Sequence, residues 1–120
     1  MNHKDLDVWK KAVGFVTEIY SLTQDFPDNE KFGLTSQLRR AAVSIAANIS
    51  EGAARNSDKE FIQFLYISLG SASEVETLLT ISNNLKFLEN KHFDQLNIAL
   101  SDLKKLIIGL IKYLKTKTQK

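Results

Sequence analysis

The sequence predicts an all-α fold, an antiparallel up-down-up-down four-helix bundle, and three observations carry that prediction. Apolar residues recur at helical spacing through four long segments. A single proline, Pro27, and five glycines leave those segments almost uninterrupted. The connections between them are short, which favours antiparallel neighbours. At 120 residues, 43% of them hydrophobic, the chain matches one ordinary domain able to bury a core without staples. It reads as a single bundle over residues 1–120, with helices at about 5–24, 33–54, 58–84 and 91–117.

The first helix has Asp5 or Asp7 to cap its start and Pro27 to close it. Leu6, Trp9, Val13, Val16 and Tyr20 form one apolar stripe, and Val8, Ala12, Phe15, Ile19 and Leu22 a second beside it. Together they cover roughly 200° of the circumference, twice the arc of an ordinary surface helix. A helix so apolar is expected to be very enclosed or to lie at a subunit interface.

The second helix, for which Thr35 or Ser36 is the expected cap, carries Leu34, Leu38, Ala41, Ala42, Ile45 and Ile49 on its buried face. Its middle is small throughout, with Ala41, Ala42, Ser44, Ala46 and Ala47, which lets a neighbouring helix approach closely. The third opens on Ser57-Asp58-Lys59-Glu60, a capping box, and its 27 residues should span about 40 Å. It is apolar nearly all round, a mark of a central or interfacial helix. The fourth begins near Asn90, a natural cap, and places Leu96, Ala99, Leu100, Leu103, Leu106, Ile107, Leu110, Ile111, Tyr113 and Leu114 on one arc with Lys104, Lys105, Lys112 and Lys115 on the other.

Charge is unevenly divided along the chain. Six lysines, Lys104, Lys105, Lys112, Lys115, Lys117 and Lys120, follow the last acid, Asp102, which leaves −4 on the remainder of a chain whose net charge is +2. A basic terminal segment attracts phosphate backbones, and lysines also suit a helix C-terminus because they offset the macrodipole; both readings stay open. Aromatic residues beside lysines, Trp9 with Lys10 and Lys11 and Tyr113 with Lys112, add stacking surfaces, although Trp9 belongs to a continuous packing stripe.

Several function classes find no support. The sequence lacks cysteine, a P-loop, an HExxH pattern and a recognisable nucleophile-base arrangement. Two histidines, neither in a motif, offer little acid-base machinery, so no enzyme, no cofactor and no metal are expected. Glu89-x-x-His92 has the spacing of a di-iron ligand pair but no second copy to complete it. No run of about 18 apolar residues and no leader-like N-terminus are present, so a cytoplasmic protein with no membrane contact is expected. The absence of cysteine fits a reducing compartment.

A different set of polar residues sits among apolar ones. Glu76 projects between Leu65 and Leu69, Glu74 lies between Ile67 and Ile81, and Arg40, Ser44 and Glu51 share a face of the second helix with Asn48 nearby. Charges in such places are expected to be paired, because a lone buried ion costs several kcal/mol. Asn48, Glu51, Glu74 and Glu76 therefore read as a polar network fixing the bundle's register or as a subunit or ligand contact.

The run Phe32-Gly-Leu-Thr-Ser-Gln-Leu-Arg-Arg-Ala-Ala-Val-Ser-Ile-Ala-Ala-Asn-Ile-Ser-Glu-Gly52 strongly resembles the bacterial four-helix-bundle family named for the 23S rRNA intervening sequence. Phe61-x-x-Phe-Leu65, Leu69-Gly-Ser-Ala-Ser-Glu-Val-Glu-Thr77 and the opening Asp5-Leu-Asp-Val-Trp9 resemble it too, so the likeness spans nearly the whole chain. The resemblance implies an antiparallel bundle assembling as a ring-shaped homopentamer, encoded within 23S rRNA gene inserts or elsewhere in the genome. A related branch, the accessory variability proteins of diversity-generating retroelements, implies two partners, nucleic acid and a reverse transcriptase. The net charge is modest beside that branch. Taken together, the expected function is a non-enzymatic oligomeric bundle binding rRNA or other nucleic acid through Arg39, Arg40, Arg55, Lys104, Lys105, Lys112 and Lys115, which would contact phosphates without reading sequence. The alternative is a protein-interaction scaffold that touches no nucleic acid.

Overall fold

The computed structural model describes residues 1–118 and builds them into four long helices: α1 (Asp7–Thr23), α2 (Leu34–Ala53), α3 (Asp58–Asn84) and α4 (Asn90–Thr118). Single 3-10 turns precede α1 (His3–Asp5) and α2 (Asp28–Glu30). Each helix packs on the next, α4 closes against α1, and the diagonal pairs α1/α3 and α2/α4 bring no Cα atoms within 8 Å of each other among the described residues. Contacts pair the start of one helix with the end of its neighbour, as in Arg39 with Thr23 and Lys117 with Asp58, so neighbours are antiparallel. The result is an up-down-up-down rod of 51 × 23 × 20 Å.

The helix ends follow capping chemistry, though not always through the expected residues. Neither Asp5 nor Asp7 caps α1: Asn2 accepts the Lys4 amide at 3.0 Å to hold the first 3-10 turn, and Leu6 then stands at the helix start without a side-chain cap. Nor does Pro27 close α1, which ends at Thr23; Pro27 instead opens the second 3-10 turn. Thr35 and Ser36 do not cap α2 either. Gly33 is the N-cap, and Glu30 reaches over it to accept the Leu34 amide at 3.1 Å. A Cβ at Gly33 would lie 2.8 Å from that Glu30 oxygen, so glycine makes room for the cap.

Half of the predicted capping box on α3 is formed: Ser57 Oγ accepts the Glu60 amide at 3.2 Å, but it is the Ser57 hydroxyl, at 3.1 Å, that donates to the Glu60 carboxylate. The same helix ends with Lys86 in the left-handed region (φ 65°). Phe87 N–H to Ser82 O (2.9 Å) and Lys86 N–H to Asn83 O (3.0 Å) make this a Schellman ending. Asn90 is the first residue of α4 rather than its cap, and its side chain accepts from Asn83 Nδ2 at 2.8 Å across the turn.

The core is one continuous cluster to which all four helices contribute, from Val8 and Phe15 through Ile45 and Leu79 to Leu114. The α2–α3 pair makes the most extensive contact, and Gly52 removes side-chain bulk where α2 meets Phe61 and Phe64 of α3. There Ser68 donates to the Ile45 carbonyl at 2.8 Å, and a Cβ at Gly52 would come within 2.8 Å of both Phe61 Cδ1 and Phe64 Cβ. No helix among the described residues is long and apolar enough to cross a membrane.

Candidate nucleic-acid interface

The basic residues singled out from the sequence fall into two groups, one on α4 and one on α2 and the turn after it. At about 100° per residue, Lys104, Lys105, Lys112 and Lys115 occupy an arc of roughly 100° on α4, with Ser101 and Ile108 between them. They share this arc because a 29-residue helix packing on α1 and α3 commits its Leu and Ile face to the core and leaves the other for water. Arg39 and Arg40 belong to α2, diagonally across the bundle, and Arg55 stands in the turn that follows it.

Their local commitments differ. Lys104 pairs with Glu76 on α3 at 3.0 Å, and Lys115 donates to the Tyr66 hydroxyl at 2.8 Å with its ammonium 5.3 Å from that ring's centroid. Lys105 and Lys112 are exposed and make no ion pair among the described residues. Lys117 approaches Asp58 at 3.5 Å, which ties the end of α4 to the start of α3, and Lys120 lies outside the described residues. The arc is thus a shallow ridge with two uncommitted ammonium groups about 10 Å apart along the axis, flanked by two more held in place from α3.

Arg39 is directed into the α1–α2 seam. Its Nε donates to Thr23 Oγ1 at 2.8 Å, its Nη2 to the Tyr20 carbonyl at 3.3 Å, and its guanidinium lies 4.5 Å from the Tyr20 ring centroid. Arg55 pairs with Glu51 at 2.9 Å and covers the Phe64 ring at 4.7 Å. Arg40 is exposed and borders a shallow cleft with Phe32 and Ser36.

The expected buried charge network takes another form. Glu51 and Glu76 make their ion pairs at the surface, and Glu74 is exposed between Ile67 and Ile81, which are themselves exposed. The neighbours of Glu74 are rim residues, whereas Leu65 beside Glu76 is buried and Leu69 partly so; both carboxylates nonetheless keep contact with water. The links at the α2–α3 seam are uncharged: Asn48 Nδ2 donates to Ser44 O (2.8 Å) and Ser44 Oγ (3.0 Å), and Ser44 Oγ meets Ser71 Oγ across α2–α3 at 2.7 Å. Glu89 and His92 join no cluster of three metal-ligating side chains among the described residues.

Two features escaped sequence reasoning. Tyr66 props Lys115, a pairing 49 residues apart that no local pattern announces. Phe32 is 91% exposed on an ordered connection, although its type would assign it to the core. Its place directly before Gly33, ahead of the helix's first buried residue, Leu34, was the available signal. Beyond it, the first stripe of α1 and the small face of α2 enclose an open apolar hollow of about 290 Å³, lined by Trp9, Val13, Val16, Thr17, Val43, Ala46, Ala47 and Ser50.

Residues 4–109 match the family described as 23S rRNA-intervening sequence protein. The fold is also similar to the crystal structure of a protein of unknown function from the S23 ribosomal protein family of Bacteroides thetaiotaomicron. That similarity has a TM-score of 0.83 at 28% identity and covers 93% of this chain and 99% of the other. No curated protein matches the chain.

Proposed function

The chain belongs to the 23S rRNA-intervening sequence protein family, and from that premise we propose that it is a non-enzymatic, oligomeric helical bundle that binds nucleic acid, rRNA first, through the lysine ridge of α4. One observation carries the reading: four lysines share one arc of one helix, and two of them have no acidic partner among the described residues. An arrangement that served only to offset the α4 macrodipole would need cations in its last turn alone. Lys104 and Lys105 stand more than two turns earlier, where that benefit has faded. The ridge is suited to phosphate contacts, which position a nucleic acid without discriminating its bases. Arg40 adds a cation on the far side of the rod, while Arg39 and Arg55 serve chiefly as braces.

The ring of five copies implied by the family resemblance would multiply this ridge, turning four cations per chain into a repeated basic surface. Retention of 23S rRNA fragments at two salt concentrations tests the binding. With about four phosphate contacts, affinity should fall roughly a hundredfold between 50 and 200 mM salt. No retention at low salt overturns the proposal, and salt-insensitive retention removes its electrostatic mechanism. The uncharged hollow between α1 and α2 favours the second reading, a scaffold for protein contacts; nuclease-resistant capture of a protein partner together with failed RNA retention would select it.

A further inference from the structure

The α1–α2 seam has two features that a solitary bundle does not use. The first is the hollow, whose walls include Trp9, Val13 and Val16 from α1 and Val43, Ala46 and Ala47 from α2, with no charged side chain among its lining residues. The second is Phe32, 91% exposed at the same seam's other end. Phe32 stands two residues before α2 begins, and Val43 to Ala47 lie about 15–20 Å further along that helix, so the ring cannot reach the hollow of its own chain.

We propose that this seam is the face on which a second copy of the chain docks, with Phe32 of one copy seated in the hollow of another. The proposal rests on the oligomeric part of the reading above and names the surface that part requires. Size supports it: an apolar cavity of about 150 Å³ is enough to hold a benzene ring, and the hollow offers about 290 Å³. Chemistry supports it as well, since an uncharged lining has nothing with which to neutralise phosphates, whereas apolar side chains suit the centre of a protein interface. Knob and hollow are different patches of one molecule, so every copy offers one of each. The contact then repeats as a mutual exchange about a two-fold axis or head to tail around a ring.

The chain contains no cysteine, which makes the contact directly trappable. A disulfide needs Cα atoms about 4.4–6.8 Å apart, a distance that Phe32 and Ala47 of one chain do not meet. In the full-length F32C/A47C variant, mild oxidation should therefore link different chains. A covalent dimer would mark the two-fold exchange and a ladder the ring. Light scattering should show wild-type protein as a multimer, and Ala47→Glu should weaken self-association about a hundredfold by placing an unpaired charge in the contact, with helical circular dichroism unchanged. A monomeric wild type, or a multimer whose mass and affinity ignore both Ala47→Glu and Phe32→Ser, overturns the proposal. So does loss of RNA retention in Ala47→Glu at unchanged mass, which would assign the seam to nucleic acid. Failure of the lysine reading shows up separately, as absent RNA retention in a protein whose mass and cross-linking are as expected.

Discussion

The seam between α1 and α2 and the one between α3 and α4 are built from the same helical geometry but present opposite chemistry to water. Along α1–α2 the rim is aliphatic and small, and its one embedded charge, Arg39, is spent on Thr23, Tyr20 and the Tyr20 ring. Along α3–α4 the rim is cationic, with Lys104 and Lys115 braced by Glu76 and Tyr66 beside the open Lys105 and Lys112. The difference teaches that a four-helix rod this thin can present an uncharged apolar hollow on one side and a cationic ridge on the opposite one. The tight α2–α3 seam keeps the two apart.

Reversing the charge of Lys105 and Lys112 together should have the largest effect on this partition. RNA retention at low salt is expected to fall roughly tenfold to a hundredfold, measured by filter binding, while oligomer mass is unchanged. Equal loss of both properties would break the division between the two faces. Next in size is Gly52→Ala, which adds a Cβ that would come within 2.8 Å of Phe61 and Phe64 and 3.2 Å of the Phe61 carbonyl. Denaturant unfolding should show a loss of about 1–3 kcal/mol from overpacking. A neutral result would mean that the α2–α3 seam gives way more easily than its packing suggests.

Arg39→Ala should cost about 1–2 kcal/mol of stability, read by the same unfolding, and should leave RNA retention within twofold, because two hydrogen bonds and a stacked ring are lost from a seam and not from the ridge. A large loss of RNA binding with normal stability would return Arg39 to the nucleic-acid surface. The smallest effect belongs to the Lys104–Glu76 pair. A double-mutant cycle with Lys104→Ala and Glu76→Ala is expected to give a coupling below about 1 kcal/mol that shrinks with added salt, as for surface ion pairs generally.

Much of this was legible before any coordinates. The 3.6-residue repeat of Leu96, Leu100, Leu103 and Ile107 assigns the buried side of α4, and with it the lysine arc, because a helix ties each residue's direction to its number. Ser57 and Glu60 announced the start of α3 through chemistry confined to four residues. Caps set by longer reach were misread: Glu30, not Thr35 or Ser36, serves α2, and Thr35 is buried at 7% exposure with its hydroxyl lacking a partner among the described residues. Glu51 and Glu76 are paired as expected, but the burial of these charges was misjudged for a related reason. A wheel shows which apolar residues flank Glu74, but not that Ile67 and Ile81 themselves stay in water.

Local pattern by itself thus determined the all-helical class, the antiparallel order and the sorting of lysines from leucines, since each depends on residues within a few turns of one another. Only tertiary structure decided which cations are spent and which are open, that Phe32 projects instead of packing, and that the surplus apolar stripe of α1 meets the small face of α2 in an open hollow. These depend on neighbours tens of residues away, such as Tyr66 for Lys115 and Tyr20 for Arg39, brought together by packing between helices rather than by any repeat along the chain.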